Sequence, residues 1–210
     1  MKIRVLLVDD HSFIRRALKI SLGDEASLEI VGEAENGEVA IAQVDHLKPD
    51  VVLMDIQMPI MDGVETTRHI CDRAPETKVL ILTVDDTDEN ISQALKYGAS
   101  GYILKNTLPE ELAFAIQAVY RGYMHLDLDL GRRVIARIPE TAEVLSADWG
   151  KLTPREQEIV QLIATGANNE EIANRLYISQ RTVKNHITSI LSQLNLRNRT
   201  QIAILVAQIK

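Results

Sequence analysis

Five polar side chains end apolar runs of this chain: Asp9 and Asp10 after IRVLLV, Asp55 after VVLM, Thr83 after KVLIL and Lys105 after GYIL. Three carboxylates gathered at one place repel one another unless a cation joins them, and hard oxygen ligands with room for water suit Mg2+. A hydroxyl, an ammonium and a divalent cation around one carboxylate form an apparatus for holding a phosphoryl group, because phosphoryl transfer is mostly positioning plus neutralisation of oxygen charge. Asp55 is then the nucleophile and phosphate carrier. Taken singly, each residue has an ordinary explanation: a strand-end Asp caps a turn, a Thr packs, a Lys is solvated. Their joint placement at strand ends is what those explanations leave unaccounted for.

The elements must bring these residues together. IRVLLV, LEIVGEA, VVLMDI, KVLIL and GYIL read as strands, separated by segments of helical period such as FIRRALKISL, GEVAIAQVDHL, GVETTRHICD and NISQALKYG. Such βα alternation predicts a doubly wound, five-stranded parallel sheet of the flavodoxin-like class, since parallel neighbours need crossover helices. In the order 2-1-3-4-5 the first and third strands are neighbours, and ligands of open sheets bind beyond the carboxyl ends where the order reverses. Thr107-Leu108-Pro109-Glu110 reads as a capping box opening a fifth helix, which Arg121-Gly122 ends.

Periodicity is lost from Leu126 to Gly150, which predicts a linker over 123–150 with Trp149 packed between two domains. Beyond it, Thr153-Pro154-Arg155-Glu156, Asn168-Asn169-Glu170-Glu171 and Asn198-Arg199-Thr200-Gln201 are helix starts. Tyr177-Ile178-Ser179 is a tight break between two short helices, the pattern of a helix-turn-helix in an all-α four-helix domain. Charge follows the same division. Residues 1–125 carry a net −9, residues 126–150 a net −2 and residues 151–210 a net +4. An acidic front joined to a basic tail makes the tail the part that meets a polyanion. Within SQRTVKNHITSILSQLN, Val183, Ile187, Ile190, Leu191 and Leu194 form an apolar stripe, while Arg181, Lys184, Asn185 and Thr188 face away. Those four have the chemistry to pair with phosphates and base edges of double-stranded DNA, against the plainer reading of a solvated face.

The totals exclude other classes. No apolar run approaches the roughly 20 residues that span a bilayer, and MKIRVLLVDD runs into acid, so a cytoplasmic protein without membrane partners is expected. The single cysteine, Cys71, excludes an internal disulfide and a cysteine-based zinc site, and it reads as a packing residue.

Residues 1–122, with DD at Asp9-Asp10, Asp55 in VVLMDIQMPIMDG, Thr83 and the Lys of GYILK, resemble the receiver domain of bacterial response regulators. Residues 152–206 resemble the LuxR-type helix-turn-helix, so the chain as a whole resembles the NarL/FixJ subfamily of two-component regulators. The resemblance implies domains at 1–122 and 151–210 and a phosphoryl group received by Asp55 from a sensor histidine kinase. It implies Mg2+ held by Asp10, Asp55 and the backbone carbonyl of Gln57, with Asp9 acting through water, and Tyr102 as a ring that turns inward when Thr83 moves. Lys184, Asn185 and Thr188 map onto base-reading positions and Arg181 and Thr182 onto phosphate contacts; His186 reads as structural. The last helix, RTQIAILVAQIK, would use its surplus apolar surface in a homodimer on an inverted-repeat promoter site, where RNA polymerase is a further contact. Val84 is bulkier than the residue common after the family's Thr, and Asn106 stands where Pro is common.

Two rival readings remain. A phosphohydrolase of the haloacid dehalogenase type also uses a strand-end Asp, but it carries a second Asp two residues on, where this chain has Gln57, whose amide exchanges no proton near neutral pH. The expectation is therefore a phosphoacceptor whose only turnover is slow self-dephosphorylation. The other rival is a phosphorylation-independent DNA binder, against which the full acidic set argues.

Overall fold

The computed structural model describes residues 2–84, 88–126, 150–196 and 199–207. Five parallel strands, β1 (Ile3–Val8), β2 (Leu28–Ala34), β3 (Val51–Met54), β4 (Lys78–Thr83) and β5 (Gly101–Leu104), pair in the order β2-β1-β3-β4-β5. Helices α1 (Ser12–Gly23), α2 (Gly37–Leu47), α3 (Gly63–Arg73), α4 (Asp88–Tyr97) and α5 (Pro109–Tyr120) follow the strands in turn. The central strands are apolar at nearly every position because both faces are covered: Leu6, Val52 and Ile81 point into one core with α2, α3 and α4, and Leu7, Leu53 and Leu80 into another with α1 and α5. The expected sheet and strand order are thus present.

Register then sets the strand ends level. Val8 pairs with Met54 and Met54 with Ile81, while Thr83 pairs with Leu104, so the next residues, Asp9, Asp55 and Lys105, emerge along one edge. Backbone bonds carry the alignment one residue further: Asp9 N–H donates to Ala34, Asp55 N–H to Val8 (2.9 Å) and Lys105 N–H to Thr83 (2.9 Å).

Four further helices, α6 (Pro154–Ala164), α7 (Asn169–Leu176), α8 (Gln180–Gln193) and α9 (Arg199–Ala207), are described in the C-terminal part. Complete capping boxes open α6 (Thr153 with Glu156) and α7 (Asn168 with Glu171), and Ser179 accepts from Thr182 N–H at the start of α8, as the sequence predicts. The expected box at the start of α5 is absent. That helix begins at Pro109 after Leu108, with no side-chain cap, and Thr107 N–H donates back to Leu104 instead. The helix starts one residue later than the box requires, so its N-cap is Leu108, whose side chain has no acceptor, whereas in α6 Thr153 stands directly before Pro154 and caps; Glu110 and Glu111 in the first turn of α5 complement the helix dipole. Most of the expected linker, Trp149, and the helix start read at Asn198 lie outside the described residues.

Candidate functional site

Asp55 sits at the end of β3 and is 3% exposed. One carboxylate oxygen accepts the N–H of Ile56 (2.8 Å) and the other accepts Lys105 Nζ (2.8 Å). The same ammonium lies 2.6 Å from Asp9 Oδ2, so a single cation bridges two acids that are 46 residues apart in the chain. Burial alone would push the Lys105 ammonium down, but its bonds to Asp55 and Asp9 outweigh that and raise it above the ordinary lysine value. Asp9 is 2% exposed and Asp10 is half-buried. Thr83 is fully buried at the end of β4, Gln57 is exposed in the β3–α3 loop, and Tyr102 is buried among Ile91, Ala94 and Leu95 of α4. The structure therefore brings Asp9, Asp55 and Lys105 into direct contact and sets Asp10 beside them. Tyr102 already occupies an inward position.

Local sequence explains the loop. Asp62, the second acid of the MPIMDG stretch, caps α3 by accepting Glu65 N–H at 2.7 Å. A Cβ at Gly63 would lie 1.9 Å from the Asp55 carbonyl oxygen, so only glycine lets the loop fold back over the strand end. Val84 is exposed, and no cis peptide bond occurs among the described residues.

Sequence reasoning missed His11 and Arg15. His11 Nδ1 lies 2.6 Å from Asp10 Oδ1, and His11 N–H donates to Asp9 Oδ1. Among the described residues, Asp9, Asp10 and His11 are the group whose metal-capable atoms lie within 4.8 Å of one another. Arg15 donates to the Asp9 carbonyl. Adjacency to the acidic pair was the one signal for His11.

In the C-terminal part Val183 and Ile190 are fully buried, while Arg181, Lys184, Asn185 and Thr188 are exposed, as the helical period predicts. Thr182 and His186 are half-buried, and the Thr188 hydroxyl donates back to the Lys184 carbonyl. Glu156 is 4% exposed and ties α6 to α8 by accepting from Ser189 (2.6 Å) and Gln193 (2.9 Å). Burial would raise its pKa, but those bonds and two from Thr153 hold it below the usual carboxylate value.

The two parts touch. Lys184 Nζ lies 2.9 Å from Glu76 Oε2, Gln201 on α9 donates to the carbonyl of Lys96 on α4, and the Tyr123 hydroxyl donates to Glu171. The bond from Lys184 holds the Glu76 carboxyl below its usual range.

The response regulator receiver domain family matches residues 5–117, and the bacterial regulatory proteins of the luxR family match residues 150–206. The chain belongs to the response regulators. Over 96% of its length this response regulator is 39% identical to the transcriptional regulatory protein LiaR of Bacillus subtilis, covering 95% of that protein. It is 40% identical to the response regulator VraR of Staphylococcus aureus over 99% of this chain and 98% of that one. Among solved structures it resembles the response regulator ChrA of a heme-sensing two-component system (TM-score 0.55, 35% identity, 99% and 98% covered). The receiver domain of NarL from Mycobacterium tuberculosis matches with TM-score 0.56 at 33% identity, covering 58% of this chain and 98% of that one. A receiver joined to a LuxR-type DNA-binding domain, in a chain whose NarL/FixJ-type relatives are named a transcriptional regulatory protein and a response regulator, makes this response regulator a DNA-binding regulator of transcription. No helix among its described residues is long and apolar enough to cross a membrane.

Proposed function

We propose that Asp55 is the phosphoacceptor, charged by a sensor histidine kinase, and that its phosphorylation frees a DNA-binding surface now engaged by the receiver. The observation that carries this is the Lys105 ammonium bridging the buried Asp55 and Asp9 carboxylates at 2.8 and 2.6 Å. Lys105 and Thr83 are the groups that would meet the new phosphoryl oxygens, and Tyr102 couples β5 to α4. The working division is a receiver at 1–122, a linker at 123–150 and a DNA-binding domain at 151–210. Turnover beyond slow self-dephosphorylation is not part of this reading.

The donor set suits Mg2+: Asp9, Asp10 and Asp55 gather hard carboxylate oxygens at one strand edge, and the buried Asp9 Oδ2 and Asp10 Oδ1 are held by Lys105 and His11, each at 2.6 Å. Asp9, Asp10, Asp55 and the Gln57 carbonyl are the groups we assign to it. Bound there, the ion would neutralise charge on the phosphoryl oxygens. On the output side, Lys184, Asn185 and Thr188 read base edges and Arg181 and Thr182 hold phosphates, on promoter DNA engaged by a homodimer paired through α9. Exposure of this polar face and the net positive charge of residues 151–210 support that assignment.

Loading the protein with a small phosphodonor and Mg2+ should raise its affinity for DNA fragments selected from random duplexes, and Asp55→Asn should abolish the rise. Equal affinity in every case would overturn the switch.

A further inference from the structure

The first turns of α1 carry a charged side chain that reaches the acidic pocket from outside it. Arg15 is 13% exposed, and its Nη1 donates to the backbone carbonyl of Asp9 at 2.6 Å. Its Nε lies 3.5 Å from Glu33 Oε2 on β2, and Lys19, one turn further along α1, holds the other Glu33 oxygen at 2.8 Å. Lys19 and, to a lesser degree, Arg15 keep the Glu33 carboxyl below its ordinary value despite partial burial. Glu33 is itself fixed by strand pairing, opposite Leu7. The guanidinium thus lies beside Glu33 of the sheet as an ion pair, without an aligned hydrogen bond, and is hydrogen-bonded on its other side to the peptide that joins Asp9 to Asp10.

That peptide is where the geometry of the acidic pair is set. The Asp9 carbonyl and the Asp10 N–H share one plane, so fixing the carbonyl fixes ψ of residue 9 and the direction in which Asp10 leaves the strand. His11 N–H bonded to Asp9 Oδ1 holds the other side of the turn. We propose that Arg15 is a positioning residue for the divalent site, acting through the Asp9 carbonyl to hold the Asp10 carboxylate in its binding direction. The proposal rests on the assignment of Asp9 and Asp10 as Mg2+ ligands.

The sign of the effect separates this role from simple electrostatics. A cation near a cation site weakens binding, so if only the charge of Arg15 mattered, removing it would tighten the metal. If Arg15 positions the ligands, removing it loosens the metal. The experiment is titration of the full-length, unphosphorylated protein with Mn2+, followed by the electron paramagnetic resonance signal of the free ion. Arg15→Gln should bind Mn2+ three- to tenfold more weakly than the parent. Lys19→Gln, which removes a charge from the same Glu33 without touching Asp9, should bind at least as tightly as the parent. In phosphodonor labelling, the Mg2+ concentration giving half-maximal rate should rise by more than the saturated rate falls. Where Arg15→Gln does not fold, Arg15→Lys, which keeps the charge and loses the fork, should show the same weakening. Affinity equal to or tighter than the parent's in the Arg15 variant, or equal weakening in Lys19→Gln, overturns the positioning role alone. Absence of Mn2+ binding by the parent overturns the metal assignment and this role with it.

Discussion

Lys105 illustrates how much a single residue carries here. Its ammonium faces two carboxylates that are each under a twentieth exposed, so its removal leaves two like charges together in a desolvated place. Breaking a buried pair from one side costs on the order of 3 kcal/mol or more. Lys105→Met should therefore lower unfolding stability by about 3 kcal/mol in chelator, measured by urea denaturation, and added Mg2+ should restore a large part of the loss. If Mg2+ stabilises parent and variant equally, the acids do not share the ion. The pH dependence has a definite sign. Because the folded pKa of Lys105 is raised, its contribution is full below the ordinary lysine value of 10.5 and is lost as pH rises through the higher folded value. Gly63 makes a steric counterpart. A methyl group 1.9 Å from the Asp55 carbonyl must displace the loop, so Gly63→Ala should destabilise by about 1–3 kcal/mol and slow phosphodonor labelling of Asp55. Normal labelling with normal stability would show that the loop can yield.

At the scale of elements, what could be read from the sequence was what local rules govern. Period, caps and strand-end polar residues gave five βα units, the helix-turn-helix and the exposed face of α8, because those patterns are written within a few residues. The capping box expected at Thr107 failed because α5 begins one residue later, which leaves Leu108, with no side-chain acceptor, at the cap position. Contacts such as Arg15 to Asp9 and Glu156 to Ser189 depend on which helix packs where, and no spacing rule announces them. Glu156 is the more instructive case. Its place in the Thr153 box was legible; its second oxygen, turned to α8, was not. That oxygen makes the orientation of α8 depend on a charged acceptor in the core of the output domain. With a folded pKa below 4.5, Glu156 contributes its stability above that value and loses it as pH falls through the folded pKa. Glu156→Gln exchanges a charged acceptor of several bonds for an amide that can accept on one atom only, a loss of about 1.5–3 kcal/mol. Acid unfolding of the variant, followed by circular dichroism, should show a shallower loss below pH 4.5 than the parent's. An unchanged acid profile would assign the transition to other carboxylates.

Across the whole molecule the question is how an event at one end of the sheet reaches a helix docked at the other. Asp55 lies at the carboxyl ends of the strands, whereas Glu76 precedes β4 and Lys96 closes α4, so the contacts with α8 and α9 form at the opposite end. The helix α4 runs between the two ends, about 15 Å for its ten residues. Its buried residues share a hydrophobic core with Tyr102, so under the proposed switch a shift at the phosphate end would reach the surface that Gln201 touches. Magnitudes decide how the load is shared. Inverting a 1:99 balance needs about 5.5 kcal/mol, whereas an exposed pair such as Glu76 with Lys184 is worth about 1 kcal/mol at most. The pair therefore cannot hold the closed form alone, and under the proposed switch the rest of the masking falls to the other contacts between the two parts, α9 on α4 and Tyr123 with Glu171. Glu76→Gln should raise the DNA affinity of the unphosphorylated protein by no more than about fivefold at low salt, the equivalent of that 1 kcal/mol, with the gain fading as salt screens the pair. Fluorescence anisotropy on a labelled duplex measures it. In the phosphorylated protein, where Lys184 is already released, the same substitution should change nothing. An equal gain in both states would mean that Glu76 merely repels DNA, and a gain of a hundredfold would mean that this one carboxylate, rather than the contacts between the two parts as a set, holds the molecule closed.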